Sequence, residues 1–310
     1  LAKSKHVYCE DLATPLRQVP SMRTADGRLL FYGRAAARVS APSTATTATV
    51  DYVRDLNARG ASYLITDAAG SELAVARYGT PVGEPLDWHL SVNLSEEELQ
   101  RPVGYAPIAH GKKYSAGDRI PFVYDVRDWR RDVDGGRAMF SYVVAAATGS
   151  ASRMWAVCPA GMSTVKTTAD MAFNVIFPTA YADNGGTLWL SPADGTDVPA
   201  GEYTLEVQVP ADINYSYVGA DRAVLVYPRG NVIDAASPQL VMTVPADRAA
   251  AGCEIRLPGA PATTHVWAVD DFTAFAELEP RAADGYVSCT LSRAATRLLA
   301  FDASATYPSP

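Results

Sequence analysis

The stretch VPAGEYTLEVQVPAD, residues 198–212, alternates without a break: Tyr203, Leu205, Val207 and Val209 are apolar, and Glu202, Thr204, Glu206 and Gln208 between them are polar. Successive side chains of an extended chain point to opposite faces, so a period of two describes a strand with one face in a core and the other in water. Pro199 and Gly201 punctuate its entry. A second stretch, KYSAGDRIPFVYDVRD (113–128), enters its strand in the same way, through Ala-Gly and a charge.

The same unit recurs from Gly27 onward, as runs of five to nine residues rich in β-branched and aromatic side chains and closed by Gly, Pro, Asp or Asn. Strands are expected around Leu30, at 61–67 and 71–78 as a hairpin, and at 86–92, 119–126, 137–145, 152–158, 171–178, 187–191 and 202–209. The C-terminal part adds 223–228, 239–244, 253–258, 264–270, 272–278, 285–291 and 297–303. Helix signals are short: Val50, Val53 and Leu56 with Gly60 as terminator suggest two or three turns over 49–60, and Ser95-Glu96-Glu97-Glu98 reads as a capping box.

Many short strands with turn signals between them predict an all-β protein of two β-sandwich domains, immunoglobulin-like or jelly-roll, with one or two short helices in connections. The Ala-Gly entries into the strands at 119–126 and 202–209 resemble those of immunoglobulin-like modules of surface proteins, over about a dozen residues in each half. That resemblance implies the sandwich class and no particular family. The small polar run 147–152 suggests a boundary, giving an extended arm at 1–26 and domains at 27–148 and 152–310. A hairpin loop at 147–152, or one jelly roll with long insertions, remains open.

At 310 residues, 48% apolar and 20% charged, the chain has the composition of a folded globular protein. A net charge of −7 argues against a nucleic-acid binder, which needs a basic face to displace counterions. The basic residues are mostly Arg, which suits planar contacts in subunit interfaces; a GC-rich coding genome explains the same bias. The chain starts at Leu1, as expected of one whose upstream part was removed or is not included, and no apolar run reaches the ~18–20 residues that span a bilayer.

Catalytic signatures are weak throughout. Gly161-Met162-Ser163 starts like a nucleophile elbow but lacks the closing glycine and a following helix. His6, His89, His110 and His265 show no metal-ligand spacing, and Cys9, Cys158, Cys253 and Cys289 form no C-x-x-C pair. A Cys253–Cys289 bridge stays open. Asn93-Leu94-Ser95 and Asn214-Tyr215-Ser216 match the glycosylation triplet, which arises often by chance.

The densest polar cluster is 125–136. Asp132-x-Asp134-Gly135 offers two carboxylates at a turn, a weak metal candidate, but Arg127, Arg130 and Arg131 would neutralise them in a self-paired hairpin loop. Four of the five tryptophans fall in strand patterns; Trp129 lies in this polar loop and is the expected interface anchor, with Arg127, Arg130 and Arg131 around it.

The expectation is therefore a non-enzymatic structural or assembly protein without cofactor, such as a capsid, protrusion or decoration component on a virion surface. Its partners would be protein subunits in a homo-oligomer or shell, with the arm 1–26 and the loop 127–136 carrying the contacts. A bacterial cell-surface adhesin or carbohydrate-binding module is the first alternative, and a glycan-active enzyme on a β scaffold is the second.

Overall fold

The computed structural model describes residues 19–33, 37–40, 51–54, 73–96, 114–148, 153–168, 171–172, 184–194, 197–211, 215–270, 275–291 and 296–307. Strands come first as β1 (Ser21–Arg23), β2 (Leu29–Phe31), β3 (Ala37–Ser40), β4 (Asp51–Arg54) and β5 (Val75–Ala76). Then follow β6 (Trp88–Glu96), β7 (Arg119–Val126), β8 (Ala138–Thr148), β9 (Arg153–Val157), β10 (Met162–Thr168), β11 (Met171–Ala172), β12 (Asn184–Pro192), β13 (Gly201–Gln208) and β14 (Tyr215–Gly230). The remainder is β15 (Gln239–Thr243), helix α1 (Ala246–Ala251), β16 (Glu254–Pro258), β17 (Thr264–Ala268), β18 (Ala276–Leu278), β19 (Arg281–Ala283), β20 (Tyr286–Thr290) and β21 (Arg297–Asp302).

The protein is all-β, a β-sandwich fold with only short helical turns among the described residues. Two compact units emerge. The middle unit is Ala45–Val50 with Trp88–Gly230; the flanking unit is Leu1–Thr44, Asp51–Asp87 and Asn231–Pro310. This partition differs from one at 147–152, because β8 and β9 on either side of that run both belong to the middle unit.

In the middle unit one sheet has the order β10-β12-β8-β14-β6 and the other β11-β9-β13-β7. The two segments with similar entries are direct neighbours, β13 pairing with β7 from Gly201↔Val126 to Gln208↔Arg119. Their alternation is borne out: Ile120, Phe122, Tyr124 and Val126 are buried while Arg119, Val123 and Asp125 are exposed. They meet Phe140, Tyr142 and Val144 of β8, Leu188 and Leu190 of β12, and Leu225 and Tyr227 of β14 in one core. Each fully buried aliphatic or aromatic side chain there contributes about 1.5–3 kcal/mol. Phe140 sits at its centre, edge-on to Phe122 (5.9 Å) and Tyr124 (6.5 Å) and stacked on Tyr142 (5.5 Å).

In the flanking unit the strand order is β15-β21-β17-β18-β5, antiparallel except for β18 with β5, beside a sheet β16-β20-β19. Leu298, Leu299, Ala300 and Phe301 of β21 are all buried, so both faces of this strand are covered. Leu299 and Phe301 join Trp267, Val269 and Phe275, against which Val19, Met22 and Leu30 pack from the segment of β1 and β2. The expected arm is thus folded over 19–26: β1 pairs with β2, and Arg28 donates to the carbonyls of Ala303 (2.7 Å) and Ala305 (2.8 Å). Residues 1–18 lie outside the described residues.

Several expectations are corrected. Residues 51–54 form β4, paired with β3, instead of the helix expected over 49–60. Ser95 and Glu96 close β6 rather than opening a helical turn. Gly161-Met162-Ser163, which the sequence reading rejects as a nucleophile elbow, leads into the strand β10 along β12, with Ser163 opposite Ser191. The hairpin at 61–67 and 71–78 falls mostly outside the described residues, leaving the short strand β5. Asn93 lies half-buried within β6, opposite Leu225, with its amide donating to Ser91 Oγ (3.1 Å); Asn214 is outside the described residues.

Candidate functional site

The segment 127–136 is not a hairpin loop. β7 belongs to one sheet of the middle unit and β8 to the other, so this segment carries the chain across the open end of the sandwich. Its first residues are tied to the end of β14: Gly230 N–H donates to Asp128 O, Arg130 N–H donates to Pro228 O (both 2.9 Å), and Trp129 bridges Arg229. That path brings Trp129 against the core. Its ring stacks on Tyr227 (4.7 Å) and meets Tyr203 edge-on (6.2 Å), and Nε1 donates to the Gly136 carbonyl (2.8 Å). Gly136 has φ +69°, and a Cβ there would come 3.1 Å from the Arg131 backbone and 3.3 Å from Trp129 Nε1, so glycine is required. The indole is half-buried by its own unit.

The charged residues expected beside it are brought together but engaged internally. Arg130 grips Asp132 through two hydrogen bonds of 2.7 Å, and the first of these interactions holds the Asp132 carboxyl below its ordinary range. Asp134 pairs with Arg137 (3.1 Å). The weak metal candidates Asp132 and Asp134 are therefore each neutralised by an arginine, and no group of three ligating side chains occurs among the described residues. Arg127 bonds Asp125 (3.0 Å), and Arg131 donates to the Ala193 carbonyl (3.0 Å).

A different surface carries the unspent apolar area. Trp155 is 43% exposed on β9, next to Met154 at 0%, and Val123 on β7 is 46% exposed. The registers Gln208↔Trp155, Gln208↔Arg119, Glu206↔Val157 and Glu206↔Pro121 put these residues on the outward face of the β11-β9-β13-β7 sheet. Arg119 is ion-paired with Glu206 (2.7 Å) at one end of the face, and Asp125 and Glu202 stand opposite one another at the other end. Pro121, which has no N–H to donate, sits on β7, an edge strand of this sheet. The other four tryptophans are buried or half-buried. Sequence reading missed Trp155, because every residue of Met154-Trp155-Ala156-Val157 is apolar and a period of two cannot tell which pair faces out.

In the flanking unit an imidazole meets a carboxylate: His265 Nδ1 lies 2.5 Å from Glu277 Oε1, and the ring stacks on Phe301 at 5.6 Å. The neighbouring hydroxyls do not complete a nucleophilic triad. Thr263 and Ser304 both give their hydrogens to Asp302 (2.6 and 2.8 Å). Burial works to raise the Asp302 pKa, but these hydrogen bonds outweigh it and hold the carboxyl below its usual range. Cys253 and Cys289 are free, and Ile255↔Cys289 makes Cys253, just before β16, diagonal to Cys289 on β20 rather than opposed. Diagonal partners are about 7–8 Å apart, beyond the Cα separation that a disulfide spans without backbone movement.

No protein-family model matches the chain, and no curated protein does. Among solved structures, the crystal structure of dimeric latent PorU from Porphyromonas gingivalis is similar, at 15% identity and a TM-score of 0.64. The likeness covers 97% of this chain but 28% of that one, so the chain corresponds to a fraction of the longer protein. At this identity what the two share is the β-rich fold.

Proposed function

We propose that this is a non-enzymatic structural protein that associates with a second copy of itself through the outward face of the β11-β9-β13-β7 sheet. The observation that carries the proposal is Trp155, a large aromatic left 43% exposed on a rigid strand, level with Gln208 and Arg119 across the sheet. Exposed aromatic residues with polar neighbours are the usual anchors of protein interfaces. The charge order supports a second copy as the partner. Arg119 stands at one end of the face and Asp125 with Glu202 at the other, so a two-fold axis in the plane of the contact and across the strands sets each end against its complement. The PorU structure is described as dimeric, which is said of that protein.

Sedimentation over a range of concentrations tests the proposal. Wild type is expected to self-associate, and Trp155→Ala to weaken association by about thirtyfold or more, the loss typical of a central aromatic anchor. Val241→Ala, at a residue 45% exposed on β15, is expected to have no effect. A wild-type chain that stays monomeric at high micromolar concentration would contradict the proposal, and so would a Trp155→Ala variant that associates normally. A shell-building subunit of the kind expected from the sequence is distinguished in the same experiment by a particle mass of many chains.

A further inference from the structure

Three Asp-Gly steps lie wholly among the described residues: Asp26-Gly27, Asp134-Gly135 and Asp284-Gly285. At such a step the glycine nitrogen can attack the aspartate side-chain carboxyl and close a five-membered imide, because a residue without Cβ leaves the approach open. The attack needs the peptide unit between the two residues to rotate and the carboxyl to be free, and the structure separates the three steps on both counts. Gly27 N–H donates to Thr24 O (2.9 Å), and the Asp26 carboxylate is held by the Thr24 hydroxyl and by Arg28 Nε (2.8 Å). Asp134 O accepts from Arg137 N–H (3.2 Å), and the Asp134 carboxylate is paired with Arg137 Nε (3.1 Å). Asp284 and Gly285 instead form the exposed two-residue turn between β19 and β20, where Ala283 pairs with Tyr286. The Asp284 carboxylate, the Asp284 carbonyl and the Gly285 N–H have no protein partner among the described residues.

We propose that Asp284-Gly285 is a site of spontaneous backbone modification, at which the native chain converts to isoaspartate. The Asp284 carboxylate takes a proton from solvent and the Gly285 nitrogen bonds to Asp284 Cγ. One carboxyl oxygen then leaves as water, carrying that proton and the amide hydrogen. Water adds back to the cyclic imide at either carbonyl. Opening at the side-chain carbonyl restores aspartate; opening at the main-chain carbonyl leaves the chain running through Cβ and Cγ, with the former main-chain carbonyl as the free carboxylate. No atom is gained or lost overall, and nothing is oxidised. The turn admits the rotation because only its central peptide swings, while the flanking Ala283↔Tyr286 pair stays in register. Gly285, at φ 82°, has the conformational freedom the swing requires. The product places one extra main-chain atom beside Gly285, whose carbonyl accepts from Gly259 N–H (2.9 Å), so the modification acts on the attachment of this hairpin to the end of β16. The site lies in the flanking unit and does not rest on the association proposed above.

The test is the accumulation of isoaspartate in the full chain, held at neutral pH and physiological temperature both in its native state and in denaturing urea. Peptide mapping with fragmentation that distinguishes isoaspartate from aspartate reads each step separately. In the native chain the rate at Asp284 is expected to exceed those at Asp26 and Asp134 by about fivefold or more, the factor that one net hydrogen bond is worth. In urea the three rates should converge, because the bonds that hold back the other two steps are gone. Equal rates at the three steps of the native chain would overturn the proposal, as would a native chain that stays unmodified at Asp284. The same ranking persisting in urea would overturn it too, by placing its cause in the local sequence instead of the fold.

Discussion

Trp129 is more covered and Trp155 more exposed than their sequence contexts suggest, and each difference has a local cause. Trp129 sits among charges in the chain, but its segment crosses from one sheet to the other, and the indole closes the end of the core against Tyr227. Trp155 sits in an apolar run whose parity is set by pairing with β13, which no single-strand pattern reveals. Gly186 shows the same dependence on a cross-strand partner. It lies opposite Tyr142, and a Cβ there would fall 2.6 Å from the Tyr142 hydroxyl and 2.7 Å from Cζ. Gly186→Ala is therefore expected to cost about 1–3 kcal/mol, the usual penalty for overpacking, measured by urea denaturation; an unchanged midpoint would refute the close approach.

The cysteines give a pH-dependent prediction. Burial, together with the charges of Cys253 and Glu254, pushes the Cys289 thiol up to about 12 from an ordinary 9.0, and burial likewise raises Cys253. A raised pKa means that the folded state holds its proton more tightly. The corresponding stability is complete below pH 9 and is lost as pH rises toward 12. Thiol labelling of the native chain at pH 8 should therefore reach half-buried Cys158 well before Cys253 or Cys289. Cys289→Ala should flatten the fall in Tm between pH 9 and 11, and equal labelling of all three would show that the two buried thiols are accessible.

Among the elements, strands with one wet face were legible, because a mixed alternation such as that of β7 or β13 fixes both type and orientation. The helical reading of 49–60 failed where Tyr52 and Val53, good strand residues, found a partner strand in β3; pairing of this kind outweighs a weak helical period. Helix α1 is real but only six residues long, with Pro245 before it and Gly252 in the left-handed conformation at φ 71° after it. Those signals stand in the sequence at a length too short to register as periodicity. The strand around Leu30 was legible, but its partner β1 went unseen because the hairpin's value is tertiary: it covers the aromatic face of β21 and β17, and Arg28 ties it to the chain beyond β21. Arg28→Ala is expected to destabilise the flanking unit by roughly 1–2 kcal/mol, since hydrogen bonds from a charged donor are the stronger kind but this guanidinium is partly solvated. Hydrogen exchange at Phe301–Ala303 should then accelerate, and unchanged protection would contradict the clasp.

At the scale of the molecule, the all-β sandwich class was open to reading from composition and periodicity alone. The partition into units was not. A small polar run such as 147–152 can be a linker between domains or the passage between two sheets of one sandwich, and composition is the same for both; only the pairing of β8 with β12 and β14, and of β9 with β13, decides it. The surface proposed for association was equally hidden, since it depends on three strands brought together from residues 119–126, 153–157 and 201–208. Its charge order provides the sharpest check on self-association. The dissociation constant is measured for Arg119→Glu, for Asp125→Arg and for the chain carrying both. Each single reversal is predicted to weaken the dimer and the double reversal to restore it, because the two-fold contact sets residue 119 of one copy against residue 125 of the other. Losses that accumulate in the double variant, or three constants equal to wild type, would contradict it.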